Sequence, residues 1–152
     1  MNNYWNHLLQ KISHNTNEYI IIENGIEYTR DDIFQDIKIV QSALQKLRLP
    51  SRSLIGVISD DNYCQFIGIL ACGSCNFIPA PLGKYPISEQ KEQYSKKVDH
   101  KVHIQRDSRI SVQAEKSQGN ITIEADLNSI SMVYPTSGTS SGVSKAVLQS
   151  YE

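Results

Sequence analysis

Apolar residues recur at helical spacing twice near the start of this chain and then gather into short solid runs. Trp5, Leu8, Leu9 and Ile12 share one face, so residues 5–13 are expected to form a short amphipathic helix. Tyr19, Ile20, Ile21 and Ile22 form a run of strand formers. Asn24-Gly25 follows, and Asn-Gly beside such a run is the strongest short hairpin signal. Ile33, Ile37, Val40, Leu44 and Leu47 then step by threes and fours, which predicts a helix over residues 30–47 with one core-facing stripe. Thr29 is expected to cap that helix, and Asp32 places a carboxylate in its first turn. Leu49-Pro50-Ser51 breaks it.

Leu54, Ile55, Gly56, Val57, Ile58 and Ser59 read as a buried strand, parallel because a helix follows. Asp60 or Asp61 caps that helix, which runs to about Cys72 and is apolar nearly all round. Asn76 to Pro79 is the next strand, which Pro79 and Pro81 are expected to end. The three elements make a parallel strand–helix–strand unit of right-handed sense. Ser88 is placed to cap a polar helix through about Lys97. Residues 101–104 and 121–124 read as short strands, with a polar loop over residues 113–120 between them. A last run, Ile130-Ser131-Met132-Val133-Tyr134, meets Pro135, which ends it. The pattern is that of one α/β domain over residues 1–152, with no internal repeat and no second domain.

Composition narrows the class more than the fold. Fifteen basic residues stand against 16 acidic ones, so nothing in the charge balance favours bulk attraction to nucleic acid or membrane. No apolar run approaches the roughly 20 residues of a membrane span. Residues 1–7 carry neither a basic segment nor an apolar core, unlike a signal peptide. Three cysteines, an odd and sparse number, fit a reducing cytoplasm.

The densest candidate chemistry follows Pro135. Thr136, Ser137, Gly138, Thr139, Ser140, Ser141 and Gly142 are all small, and Lys145 lies just beyond. Glycines let backbone approach a ligand closely, and the hydroxyls add O–H donors to the N–H donors. Donors with one cation suit a polyphosphate, whose oxygens are charged acceptors. An exposed, mobile connection with N–H groups free to face an anion is expected here. The spacing excludes the Walker loop, because three residues rather than four separate Gly138 from Gly142, and Lys145 is three beyond Gly142 rather than next to it.

This segment resembles the phosphate-binding signature of the adenylate-forming ligases, the superfamily of acyl-CoA synthetases, luciferases and nonribosomal peptide synthetase adenylation domains. The usual form is Y-T-S-G-T-T-G-x-P-K-G-V. Thr136, Ser137, Gly138, Thr139, Gly142, Lys145 and Val147 match it. One extra residue stands between Thr139 and Gly142, so either Ser140 or Ser141 takes the next hydroxyl position. Ser144 replaces a proline and Ala146 a glycine. Residues 25–47, with Tyr28-Thr29-Arg30-Asp31-Asp32-Ile33, resemble the opening hairpin and helix of the family. Residues 67–82 resemble its second core motif, with Ser74-Cys75 in place of the usual Ala/Gly-rich turn and Pro86 matching a later proline.

The resemblance implies the opening part of the large N-terminal domain of such a ligase: a mostly parallel sheet with covering helices, incomplete. It implies that a carboxylic acid and ATP with Mg2+ give an acyl adenylate and pyrophosphate. The segment from Thr136 to Gly142 would hold the β- and γ-phosphates, and Lys145 would either add charge or pin the loop. Family members continue much further, so the resemblance also implies that the 152 residues alone are inactive and need a complementing C-terminal polypeptide. The alternative is a non-catalytic remnant, or a module that binds a nucleotide or a partner. An incomplete sheet is expected to leave an uncovered edge beside side chains such as Ile55, Val57, Phe77 and Ile78.

Other clusters carry less. Cys72 and Cys75 form a C-x-x-C at a helix end, where small buried cysteines are expected rather than a redox pair or a zinc site. Lys91, Lys96, Lys97, His100, Lys101, His103, Arg106 and Arg109 form a loosely basic segment that acidic residues interrupt, which reads as a solvated face. Glu23, Glu27, Asp31, Asp32 and Asp36 fall on a turn and a helix start, where carboxylates suit the helix dipole. No serine lies in a Gly-x-Ser-x-Gly elbow, so a hydrolase reading lacks its signature.

Overall fold

A computed structural model describes residues 4–13, 19–59, 61–83, 98, 100–116, 126–135 and 146–150. The elements in chain order are α1 (Tyr4–Ser13), β1 (Tyr19–Glu23), β2 (Ile26–Thr29), α2 (Arg30–Lys46), β3 (Leu54–Ser59) and α3 (Asn62–Ser74). They continue with β4 (Ile78–Gly83), β5 (His100–Arg106), β6 (Ile110–Lys116), β7 (Ile130–Pro135) and β8 (Ala146–Ser150).

The local signals form what they predict. Asn24 and Gly25 both take positive φ, 52° and 75°, and close β1 on β2 with Glu23 opposite Ile26. That left-handed pair suits asparagine and glycine, because other side chains meet their own backbone there. Thr29 caps α2 through a reciprocal box: its hydroxyl accepts from Asp32 N at 3.2 Å, and Asp32 Oδ2 accepts from Thr29 N at 2.9 Å. Replacing Thr29 with alanine removes one half of that box, and is expected to lower stability by about 1 kcal/mol. A denaturant midpoint that does not move would show the cap to be idle.

The central sheet has the order β4-β3-β5-β6, with β3 parallel to both β4 and β5, and β6 antiparallel to β5. All six residues of β3 are buried. Alternation along the strand splits the core in two. Ile55 and Val57 face Ile33, Ile37 and Val40 of α2 and Ile67 and Leu70 of α3. Leu54 and Ile58 join Ile78, Ala80 and Leu82 of β4, with Ile130 and Val133 of β7. Parallel strands need cover on both faces, and here helices supply one side and β7 the other. Gly68 sets how closely α3 sits. A Cβ there would stand 2.5 Å from Val57 Cγ1 and 2.7 Å from Ile104 Cδ1.

Several expectations require correction. Ile55, Val57, Phe77 and Ile78 are buried, so the uncovered apolar edge is not where the sequence placed it. Pro79 and Pro81 do not end a strand, because β4 runs through both to Gly83. β4 is the outermost strand of its sheet, where a missing N–H breaks no inner ladder bond, and β7 packs beside it as part of a separate sheet. Residues 113–116 belong to β6 rather than to a loop. Asp61 is the cap of α3, accepting from Cys64 N at 2.7 Å. Asp60, the helix expected over residues 88–97 and the strand over residues 121–124 lie outside the described residues.

Candidate functional site

Thr136, Ser137, Gly138, Thr139, Ser140, Ser141, Gly142 and Lys145 all lie outside the described residues. The frame on either side of them is described. β7 and β8 pair antiparallel, and the register ends with Pro135 opposite Ala146. The Ser/Thr/Gly segment therefore leaves one strand of a hairpin and returns on the other. The stem is fixed by side chains as well as by its ladder. Ser131 Oγ donates to the carbonyls of Gln149 and Ser150, at 2.9 and 3.1 Å. Tyr134 Oη donates to Gln149 Oε1 at 3.2 Å. The start of β7 is held by the Arg52 guanidinium, which donates to the carbonyl of Leu127 at 2.6 Å and to that of Ile130.

A second polar group stands at the carboxyl ends of the parallel strands. β3 leads through α3 to β4 on one side, while β5 leads to β6 on the other. In open α/β sheets such a divergence forms a crevice, and a helix N-terminus within it is a ready anion site. Here the protein fills that place itself. Glu23 accepts from Asn62 N at 3.1 Å and from Tyr63 N at 2.7 Å. Arg106 donates to Asp61 at 2.5 Å and lies 3.8 Å from Glu23. Its guanidinium also sits 5.0 Å from the Tyr28 ring centre and 5.3 Å from that of Tyr63, and the two rings stack at 3.6 Å. Two carboxylates already occupy the donors that a phosphate would need, so the phosphate reading rests on the β7–β8 hairpin and not on α3.

Beside this group Tyr63 Oη donates to Asp36 Oδ2 at 2.6 Å. Burial raises the Asp36 carboxyl above its usual range, an effect that the Tyr63 bond opposes. Burial and that same bond push the Tyr63 phenol up. Asp36 is thus no dipole-favouring residue of a helix start, as the sequence reading placed it. Arg106 likewise is an ion-pair centre rather than part of a solvated face. From sequence Arg106 is named only within a solvated basic segment and Tyr28 only within the opening motif, and nothing there joins them to Tyr63. The available signal was Asp36 itself, a carboxylate on the apolar stripe between Ile33, Ile37 and Val40.

Cys72 is buried within α3, and Cys75 is half-buried at its C-cap. Burial pushes the Cys72 thiol well above its usual range and the Cys75 thiol up to about 11. That direction disfavours the thiolate, which does not suit thiolate attack. Among the described residues no group of three or more His, Cys, Asp or Glu side chains is arranged to hold a metal ion. No described helix is long and apolar enough to cross a membrane.

No protein-family model matches the sequence, and no curated protein matches it. Solved structures do match. ATP-bound MatB from Rhodopseudomonas palustris superposes with a TM-score of 0.69 at 13% identity, over 99% of this chain and 35% of that one. o-Succinylbenzoate CoA synthetase from Bacillus subtilis, in complex with its acyl-adenylate intermediate, gives 0.65 at 17% identity, over 97% of this chain and 42% of that one. McyG A-PCP, complexed with phenylalanyl-adenylate, gives 0.64 at 17% identity, over 96% and 32%. The chain has the fold with which adenylate-forming ligases open. It spans 32–42% of the length of these three ligase structures. As in the ligase opening, its central sheet is mixed, two of three pairings being parallel, and helices cover it.

Proposed function

We propose that this chain is the opening part of an ATP-dependent ligase that activates a carboxylic acid as its acyl adenylate. The observation that carries this reading is the β7–β8 stem. It joins the two ends of the Ser/Thr/Gly segment, in a chain whose fold is that of ligases solved with ATP or an adenylate. In the reaction the substrate carboxylate oxygen attacks the α-phosphorus of ATP. The bond to the bridging oxygen breaks, and pyrophosphate leaves with the negative charge. Thr136, Ser137, Gly138, Thr139, Ser140, Ser141 and Gly142 would hold the β- and γ-phosphates through N–H and O–H donors, and Lys145 would add a cation. Positioning and charge stabilisation are the main work in such a transfer. Mg2+ would arrive with the nucleotide and screen its phosphates.

The catalytic unit in this reading includes the rest of a ligase, which supplies the acid pocket and the contacts to adenine and ribose. Exposed side chains support such a partner: Tyr134, Val147 and Leu148 on the hairpin are 38, 49 and 40% exposed. Three cysteines, an odd and sparse number, support a reducing, cytoplasmic setting.

Phosphate contacts alone must offset the entropy of association, so the isolated chain should bind Mg-ATP only weakly, with a Kd of about 1 mM, equivalent to about −4 kcal/mol. Amide NMR shifts on titration with Mg-ATP check this. Gly138 and Gly142 should move saturably, and Lys145→Ala should abolish the movement. An unperturbed 136–145 segment at high nucleotide would remove the phosphate-hairpin reading, and a submicromolar Kd would remove the view that other contacts are required.

A further inference from the structure

We propose that the cleft between the β1–β2 hairpin, α2 and the β5–β6 turn binds a small organic cation, an alkylammonium or guanidinium group. The inference is independent of the ATP reading. The cleft has a volume of about 290 Å3 and is lined by Tyr28, Asp32, Asp36, Tyr63, Asp107 and Arg109, among others. That is near the lower end, about 300 Å3, of small-molecule sites, and fits a head group of a few heavy atoms.

Two lining residues carry polar atoms without a partner. Tyr28 is 7% exposed and its hydroxyl makes no hydrogen bond among the described residues; Asp36 is 5% exposed and its Oδ1 makes none there either. Buried polar groups are ordinarily paired, so each such atom calls for an occupant. The second oxygen of Asp36 is fixed by Tyr63, which orients the carboxylate and leaves Oδ1 buried without a partner among the described residues. Tyr28 is held in place by its stack on Tyr63. An N–H donor suits either atom, because a carboxylate oxygen and a phenol oxygen both accept.

Charge selects a cation over an anion or a neutral donor. Glu27, Asp32, Asp36 and Asp107 line the cleft against Arg106 and Arg109. Arg106 is engaged with Asp61 and Glu23, while Arg109 donates to the neutral Gln35 and keeps its charge, which acts on Asp36, so one cation stands against four carboxylates. The field left over is negative, and an anion would be repelled. A bare metal ion needs several converging oxygens, and the described residues offer no such group. A flexible ammonium or a planar guanidinium needs only the donors and the charge.

Titration of n-butylammonium into the 152-residue chain at low ionic strength, followed by NMR of the Tyr28 and Tyr63 rings, tests this. Saturable shifts are expected, with butanol and butyrate producing none. Tyr28→Phe keeps the ring stack and removes only the hydroxyl, and it should weaken binding at least threefold. Asp36→Asn should abolish it; should that variant not fold, Tyr28→Phe carries the test alone. Absence of a saturable shift, the same shift with butanol, or an unchanged affinity in Tyr28→Phe overturns the proposal. Equal shifts from magnesium chloride would also overturn it, in favour of a metal site.

Discussion

Leucine at position 68 will leave this chain without a stable fold. Any side chain there begins with a Cβ 2.5 Å from Val57 Cγ1 and 2.7 Å from Ile104 Cδ1, well inside van der Waals contact. Val57 is β-branched and fully buried, so it has little room to turn away. α3 would have to lift from β3 and β5, opening the larger of the two cores. Replacing a helical glycine ordinarily gains about 0.5–1 kcal/mol. Overpacking a close-packed core costs about 1–3 kcal/mol and sometimes more, so even alanine should lose on balance. Leucine adds three further carbons to the same overlap, and its cost approaches the roughly 5–15 kcal/mol that holds a whole domain. Thermal unfolding followed by circular dichroism checks both. A leucine variant melting within a few degrees of the parent would mean that α3 does not rest on the sheet as described.

The second large effect concerns chemistry. The isolated chain is expected to form no acyl adenylate, and addition of the remaining part of a ligase as a separate polypeptide is expected to restore it. In the proposed reading that partner would meet the β7–β8 hairpin together with a groove of about 330 Å3 lined by Trp5, Leu8, Phe66, Ile69 and Met132. Apolar patches of this kind on a chain with an otherwise filled core mark an interaction site. Pyrophosphate exchange and sedimentation of the mixture measure the outcome. Leu148→Asp should prevent association while leaving the circular dichroism of the chain unchanged, because Leu148 is 40% exposed and outside both cores. Exchange activity from the lone chain, or a lone monomer indifferent to the added portion, would refute the expectation.

What could be read in advance was what a few neighbouring residues decide. The Asn24-Gly25 turn, the Thr29–Asp32 box and the stripe from Ile33 to Leu44 depend on local backbone preference and period. β6 was missed because Ser111, Gln113 and Glu115 make it look polar, while Ile110, Val112 and Ala114 are only partly buried against the core. Its position is set by pairing with β5, which no local window contains. β4 was cut short because proline was weighed without knowing that the strand lies at an edge. The family resemblance singles out the Ser/Thr/Gly segment proposed to hold phosphate, which lies outside the described residues, whereas the polar cleft joins Tyr28, Asp36, Tyr63 and Arg106 from four separate elements and leaves a trace only in Asp36.

The closed stem of β7 and β8 bears on how such a segment can change in length over time. Pro135 stays opposite Ala146 whatever number of residues separates them, since the ladder and the Ser131 bonds fix the register. Closing a loop costs entropy that grows only with the logarithm of its length, so one residue added to about nine costs roughly 0.1 kcal/mol. The additional residue between Thr139 and Gly142 is therefore nearly neutral for the fold. In the proposed reading, selection at this position would fall on the phosphate that the segment holds, and insertions or deletions here would drift freely wherever that ligand is no longer required.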